Sequence, residues 1–329
     1  MKVNLVNFAR RTSLRQLRAF GAVAQSGSVT GAAGLLAVTP PAIAQQLRLL
    51  EDTLGVALLE RTSAGARPTD AGREVLTALA RIEAALEDCA AAIEALRGVE
   101  GGRVAVGVIS TAKYFAPFAL AAFQRAYPKV EMRILVGNRR QTMTALESFE
   151  IDLAITGRPP ADFPVARAVI GDNPHVIIAP PEHRLAGSPR TRLCDVATDT
   201  FLLREEGSGT RELMGRAFAE AEVPLPRSVE IGSNESIKQA VMAGMGVALL
   251  SCHTIAAEVR DERLIVLDVE GFPIVRQWFV VRRSEKRLLP AAQALWNHLV
   301  TAGASFLPEV PAAMRRPGGG GRSGSDAAA

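Results

Sequence analysis

The chain has 329 residues, 48% hydrophobic and 22% charged, with a formal net charge of +4, which excludes a disordered chain and implies two or three domains. Its apolar runs fall short of the ~18 residues of a membrane span, and the basic start at Lys2, Arg10 and Arg11 precedes no signal-peptide core, so no membrane partner and a cytoplasmic location are expected. Cys89, Cys194 and Cys252 are too scattered for a disulfide framework or a zinc site.

The positive charge sits at the front, where residues 1–73 hold nine Lys or Arg against four acids, as a nucleic-acid contact requires. Leu14, Leu17, Phe20 and Ala24 recur at helical spacing, and Gly27 offers a stop. Ser28 caps a second helix reaching Leu36, weakened by Gly31 and Gly34. After a turn at Ala37 and Val38, Thr39 is the expected N-cap of a third helix, with Pro40 at its first position and Ile43, Leu47, Leu50 and Leu54 as its apolar stripe. Residues 57–61 and 67–69 read as short strands around a Ser63-Ala64-Gly65 turn, a small wing.

Thr69 or Asp70 is then expected to cap a long helix. Along it Val75, Leu79, Ile82, Leu86, Cys89, Ile93 and Leu96 alternate spacings of four and three, a heptad seam expected to pair with a second copy. Gly98, Gly101 and Gly102 end the helix in a hinge.

Beyond the hinge, strands at 103–110, 131–137 and 152–156 alternate with helices at 114–127 and 141–149, which implies a parallel sheet with right-handed crossovers. A second series follows, with strands at 176–179, 200–203 and 246–250 and helices at 210–222 and 236–243. The strand 278–282 and helix 290–302 close the fold. From Pro308 onward Pro, Gly, Ser and Ala dominate, and 308–329 is expected to be a disordered tail.

The three front helices match a helix-turn-helix whose last helix enters the major groove. Thr39, Pro40, Pro41, Ala44, Gln45 and Arg48 fall on or near its exposed face, and Thr30 joins them from the preceding helix. Gln45 suits an adenine edge and Pro41 or Ala44 a thymine methyl, whereas Arg48, Arg61 and Arg67 suit phosphates.

Enzyme-like motifs carry less. Ser110-Thr-Ala-Lys113 fits S-x-x-K, but its partner motifs S-D-N and K-T-G are missing, so a serine hydrolase is the remote alternative. Gly207-Ser-Gly-Thr210 ahead of a helix is suited to an anion. Gly244-Met-Gly246 has the wrong element order for a dinucleotide fingerprint and reads as a turn. His175, His183, His253 and His298 lack metal-ligand spacing, and Cys252 and His253, read as strand neighbours, point apart. Arg139 with Arg140, and Arg282 with Arg283, read as solvated charges.

The segments Leu14-Arg-Gln-Leu-Arg-Ala-Phe20, Gly27-Ser-Val-Thr-Gly-Ala-Ala33, Pro41-Ala-Ile-Ala-Gln-Gln-Leu47, Glu60-Arg-Thr62 and Thr69-Asp-Ala-Gly72 resemble the N-terminal signature of LysR-type transcriptional regulators. Downstream, Ser110 to Pro117, Ile151-Asp-Leu-Ala-Ile155, Gly157-Arg-Pro-Pro160, Asn173-Pro-His-Val-Ile-Ile-Ala-Pro-Pro181, Glu206-Gly-Ser-Gly-Thr-Arg211 and Ser233 to Val241 resemble the CbbR branch of that family, whose members activate carbon-fixation (cbb, RuBisCO) operons. The recognition helix departs from the family's common Ser-Gln-Pro and Ser-Arg at Thr39-Pro40-Pro41 and Ala44-Gln45.

The resemblance implies a winged helix-turn-helix over 13–70, a dimerising linker helix over 71–97, and an effector domain over 98–307. That domain is expected to have two Rossmann-like α/β subdomains of periplasmic-binding-protein type, 102–171 with 275–307, and 172–274. Around the cleft between them Ser110, Thr111, Lys113, Gly157, Arg158, Ser208, Thr210, Asn234 and Glu235 are the expected effector ligands. The implied effector is a small anionic metabolite (a phosphorylated sugar, another phosphorylated metabolite or NADPH) with no resident cofactor. The implied partners are promoter DNA, further copies as homodimer or homotetramer, and RNA polymerase. A LysR-type regulator of another operon is the alternative, and a solute-binding protein a remote one.

Overall fold

The computed structural model describes residues 11–62, 65–96 and 101–310, without the side chains of Arg61, Glu87, Asp88, Ala91, Ala92 and 94–96. The turn expected at Ser63 and Ala64, the stop at Gly98, the tail from 311 and the side chains of Arg61 and Leu96 lie outside the described residues. Two compact units divide in the main between Glu94 and Ala95.

In the first unit, α1 (Leu14–Ser26), α2 (Val29–Leu36) and α3 (Pro40–Leu54) precede a hairpin of β1 (Leu59–Thr62) and β2 (Gly65–Pro68), then α4 (Asp70–Leu96). The helix ends follow local chemistry. Ser13 and Gln16 form a capping box, Gly27 closes α1 in the left-handed conformation, and Ser28 accepts from Gly31 N–H. Thr39 takes the N-cap position but makes no side-chain bond, because Pro40 and Pro41 have removed two N–H groups and the third, on Ala42, goes to the Thr39 carbonyl. Thr69, whose hydroxyl accepts from Gly72 N–H at 3.1 Å, caps α4.

Ala19, Ala32 and Ala33 are buried where α1 meets α2, so the small residues of the signature serve close helix approach. Gly72 has the same purpose: a Cβ there would lie 2.2 Å from the Leu58 carbonyl oxygen. The seam on α4 divides. Val75 and Leu79 are 9% and 7% exposed and pack with Leu17, Phe20, Leu50 and Leu58 of their own unit, which corrects their expected place on an intermolecular seam. Ile82, Leu86 and Ile93, at 40%, 47% and 47%, stay open, as does Cys89.

The second unit contains β3 (Gly102–Ile109), α5 (Ala116–Ala126), β4 (Val130–Gly137), α6 (Arg139–Glu147), β5 (Leu153–Thr156), β6 (Val165–Ala179), α7 (Leu193–Val196), β7 (Phe201–Leu203), α8 (Gly209–Glu220), β8 (Ser228–Glu230) and α9 (Asn234–Met242). It ends with β9 (Ala248–Ser251), α10 (Cys252–Arg260), β10 (Ile265–Val266), β11 (Ile274–Arg283) and α11 (Pro290–Ala302). The parallel pairing expected of the strands at 103–110, 131–137 and 152–156 is present, and these strands belong to a larger mixed sheet, ordered β10-β6-β11-β5-β3-β4 with β9 also on β6. Only β3 runs parallel to its neighbours β4 and β5; β6 is antiparallel to β9, β10 and β11, and β11 to β5. Residues 165–173, where the local sequence predicts no element, are strand through pairing with β11 over its ten residues.

The paired strands β6 and β11 serve two lobes. Ile170 and Trp278 enter a core with Val104, Phe115, Phe123 and Leu295, whereas Val176 and Ile178 enter a second with Ile237, Val241 and Ile255. Cys252 and His253, expected along a strand, begin helix α10, where Ser251 accepts from His253 N–H; both are buried. Among the described residues no helix is long and apolar enough to cross a membrane, and no group of His, Cys, Asp and Glu is placed to hold a metal ion.

Candidate effector site and nucleic-acid interface

On α3 the buried side chains Ile43 and Leu50 are seven apart and fix one face, so the opposite face is open. Thr39, Pro40, Pro41, Gln45 and Arg48 are exposed there, Ala44 is half-buried, and Thr30 is exposed on α2. On the hairpin Arg67 is exposed and pairs with Glu60 in register. The first unit thus offers an exposed helix start of small and amide side chains flanked by guanidinium groups.

In the second unit a cavity of about 410 Å³, its open mouth included, lies between the lobes. Its lining brings together Ser110, Thr111, Gly157, Arg158, Ser208 and Thr210 of the expected ligands. Ser208 is the N-cap of α8 and Thr210 stands in its first turn, so hydroxyls and free backbone N–H groups face the same space.

The other three expected ligands belong to a neighbouring polar network. Lys113 Nζ pairs with Glu235 at 3.7 Å, and Glu235 also accepts from the Tyr114 hydroxyl. Asn234 Oδ1 accepts from Arg204, a guanidinium 2% exposed that also donates to Ser110 Oγ at 3.0 Å and is clamped by Glu205. Ser110 and Lys113 therefore engage different partners, and the S-x-x-K spacing forms no nucleophile–base pair. Arg211 bonds the Arg204 carbonyl and Glu230, outside the lining.

The cavity's charge comes from residues that local reading missed. Arg139 and Arg276 line it beside Arg158, which corrects the reading of Arg139 as a solvated charge. Arg282 and Arg283 depart from that reading too, since Arg283 is buried with its guanidinium 4.8 Å from the Phe163 ring and Arg282 lies 5.9 Å from Trp296. Burial lowers the pKa of Arg276 to about 10, assisted by Arg216, Arg158 and Arg139; Glu212 alone opposes, and it stands 3.6 Å from Arg158. Three guanidinium groups, of Arg139, Arg158 and Arg276, thus line the cavity, a field favouring a multiply charged anion.

The floor comes from β6 and β11, where Asn173 lies opposite Arg276, His175 opposite Ile274, and Trp278 two residues beyond Arg276. Strand parity places Asn173 with His175, and Arg276 with Trp278, on one face; the signal existed in the sequence but depended on knowing the pairing.

Comparison with known proteins places both halves. Residues 14–73 match the bacterial regulatory helix-turn-helix protein of the lysR family, and 97–304 match the LysR substrate binding domain. The HTH-type transcriptional regulator CbbR of Xanthobacter flavus is 50% identical over 301 residues, covering 91% of this chain and 90% of that protein. The RuBisCO operon transcriptional regulator of Allochromatium vinosum is 42% identical, covering 89% of this chain and 97% of that one. The regulatory domain of Synechocystis PCC6803 CcmR, solved in complex with 2-PG, superposes with a TM-score of 0.58 at 37% identity over 60% of this chain and 96% of its own. These relatives are named as regulators, not enzymes, and the chain belongs to the LysR family of bacterial helix-turn-helix transcriptional regulators, grouping within it with the CbbR proteins.

Proposed function

We propose that this protein regulates, as an activator, a RuBisCO operon, binding its promoter through Thr30, Thr39, Pro40, Pro41, Ala44, Gln45, Arg48, Arg61 and Arg67 and sensing a phosphorylated anion in the cavity between the lobes. The observation that carries the effector reading is the lining of the cavity by Arg139, Arg158 and Arg276, beside the start of α8. A phosphate group satisfies both the guanidinium fork and the helix N-terminus. The kinship with the CbbR proteins and with a regulatory domain that binds 2-PG points to the same class of ligand. Phosphorylated sugars and NADPH belong to that class.

The open side chains Ile82, Leu86, Cys89 and Ile93 on α4 support a homodimer, and a tetramer of two such dimers acts on promoter DNA together with RNA polymerase in the cytoplasm. An effector that prefers one arrangement of the lobes shifts the population toward it, and with it the spacing of the DNA-binding units.

Calorimetric titration of the full-length protein with 2-phosphoglycolate tests the effector site. Binding that weakens at least ~30-fold in Arg276→Gln, for loss of a charge-assisted bond worth ~2 kcal/mol, supports it. Equal affinity in the variant refutes it.

A further inference from the structure

The floor of the cavity differs chemically from its charged side. Asn173 Oδ1 accepts from Ser251 Oγ at 2.7 Å, which fixes the amide and leaves its Nδ2 hydrogens as donors. A Cβ built on Gly157, itself a lining residue, would lie 3.3 Å from that Nδ2, so the amide nitrogen borders the cavity wall. His175 Nδ1 lies 3.0 Å from the Asn173 carbonyl, and since a carbonyl only accepts, Nδ1 carries the ring hydrogen. Burial, with Arg276 and His253 close by, brings the His175 pKa down to about 3, so the ring is neutral and Nε2 is a bare acceptor.

Trp278 is spoken for in the same way, its Nε1–H going to His253 Nδ1 at 3.0 Å. Among the described residues neither His175 Nε2 nor Asn173 Nδ2 has a hydrogen-bond partner. The floor therefore offers one donor and one neutral acceptor, two residues apart on one strand face, beside guanidinium groups that only donate. A carboxylate or phosphate oxygen suits Asn173 but meets the lone pair of His175. A hydroxyl suits both, accepting from the amide and donating to the imidazole.

We propose that Asn173 and His175 form a hydroxyl subsite, so that phosphorylated anions carrying a hydroxyl group bind more tightly than those without one, 2-phosphoglycolate among them. This rests on the reading of the cavity as the effector site. The phosphate lies among Arg139, Arg158, Arg276 and the α8 N-terminus, and the hydroxyl reaches the floor. His175 is thereby a specificity-determining residue: it disfavours ligands that lack the hydroxyl, 2-phosphoglycolate included, because its acceptor is then left unmatched.

The test uses two probes that differ by one oxygen, 3-phosphoglycerate and its analogue without the hydroxyl, 3-(phosphonooxy)propanoate, titrated calorimetrically into the full-length protein. The hydroxyl-bearing probe is expected to bind about tenfold or more tightly. In His175→Asn the amide nitrogen replaces Nδ1 and keeps the bond to the Asn173 carbonyl, while nothing occupies the Nε2 position. There the preference should collapse to about onefold, with the deoxy probe changed by no more than about threefold. His175→Gln, which restores an acceptor near Nε2, should recover part of it.

Equal affinity of the two probes for the unaltered protein overturns the subsite, as does a preference that survives in folded His175→Asn. If that variant does not fold, the ratio in the unaltered protein decides. Binding of both probes without discrimination leaves the effector site standing. Failure of both probes and of 2-phosphoglycolate removes the site and the subsite together.

Discussion

Acidification should destabilise the α/β unit through two histidines. His175 and His253 are each 4% exposed, and burial lowers their pKa from 6.5 to about 3 and about 4. The unfolded chain thus takes up two protons below about pH 6.5 that the folded chain refuses, and stability present at neutral pH drains away as the pH falls toward 4. Each pH unit below the unfolded pKa costs ~1.4 kcal/mol per histidine, so lowering the pH from about 7.5 to about 5 removes ~2 kcal/mol for each and ~4 kcal/mol for the pair. The protonation of His253 also breaks a named bond, since Nδ1 then competes as a donor with Trp278 Nε1–H. Trp278 and Trp296, the only tryptophans in the chain, both lie in this unit, so urea unfolding followed by their emission reads it alone. His175→Asn should remove about half of the pH dependence, and His253→Asn, whose amide oxygen replaces the Nδ1 acceptor, the other half. Stability that is flat across this window, or a loss of the same size in the double variant, would refute the assignment of buried neutral rings.

On the linker helix, Leu79→Ala should cost ~2–5 kcal/mol in the stability of the DNA-binding unit, whereas Leu86→Lys should leave that stability nearly intact and shift sedimentation toward monomers. Dimers that persist in Leu86→Lys would remove the open seam from assembly. Gln45→Ala should lower the affinity for operator DNA but not for random DNA, and Arg67→Ala both alike; anisotropy on the two DNAs separates them. Burial pushes the Cys252 thiol up to about 12, so in native protein a disulfide reagent at about pH 8 should find at most Cys89 and Cys194, and Cys252 only after unfolding. Rapid native labelling of Cys252 would contradict its place at the base of α10.

The sequence disclosed what depends on neighbours within a few residues. Gly27 as a stop, Ser28 as a cap and the Ile43 to Leu50 spacing are all local, and the helices of the first unit form where they predict. The seam on α4 was legible as a period but not as a partner: the same spacing that marks Val75 and Leu79 serves their own core. The antiparallel half of the sheet was hidden because residues 165–173 of β6 pair with β11, about a hundred residues away. For the same reason the cavity floor escaped notice, since Asn173 and Arg276 become neighbours only through that register. The hydroxyl-rich side, Ser110, Thr111, Ser208 and Thr210, was readable because each lies at a strand end or helix start, where local patterns are strongest.

The most direct test of the central account is a footprint of the full-length protein on the promoter of the RuBisCO operon of its own genome, with and without 2-phosphoglycolate. Protection of a defined site at salt concentrations that abolish binding to random DNA, with boundaries that move when the phosphorylated anion is added and stay fixed in Arg276→Gln, is the predicted result. No preference for that promoter, or a footprint indifferent to every phosphorylated anion tried, would contradict it.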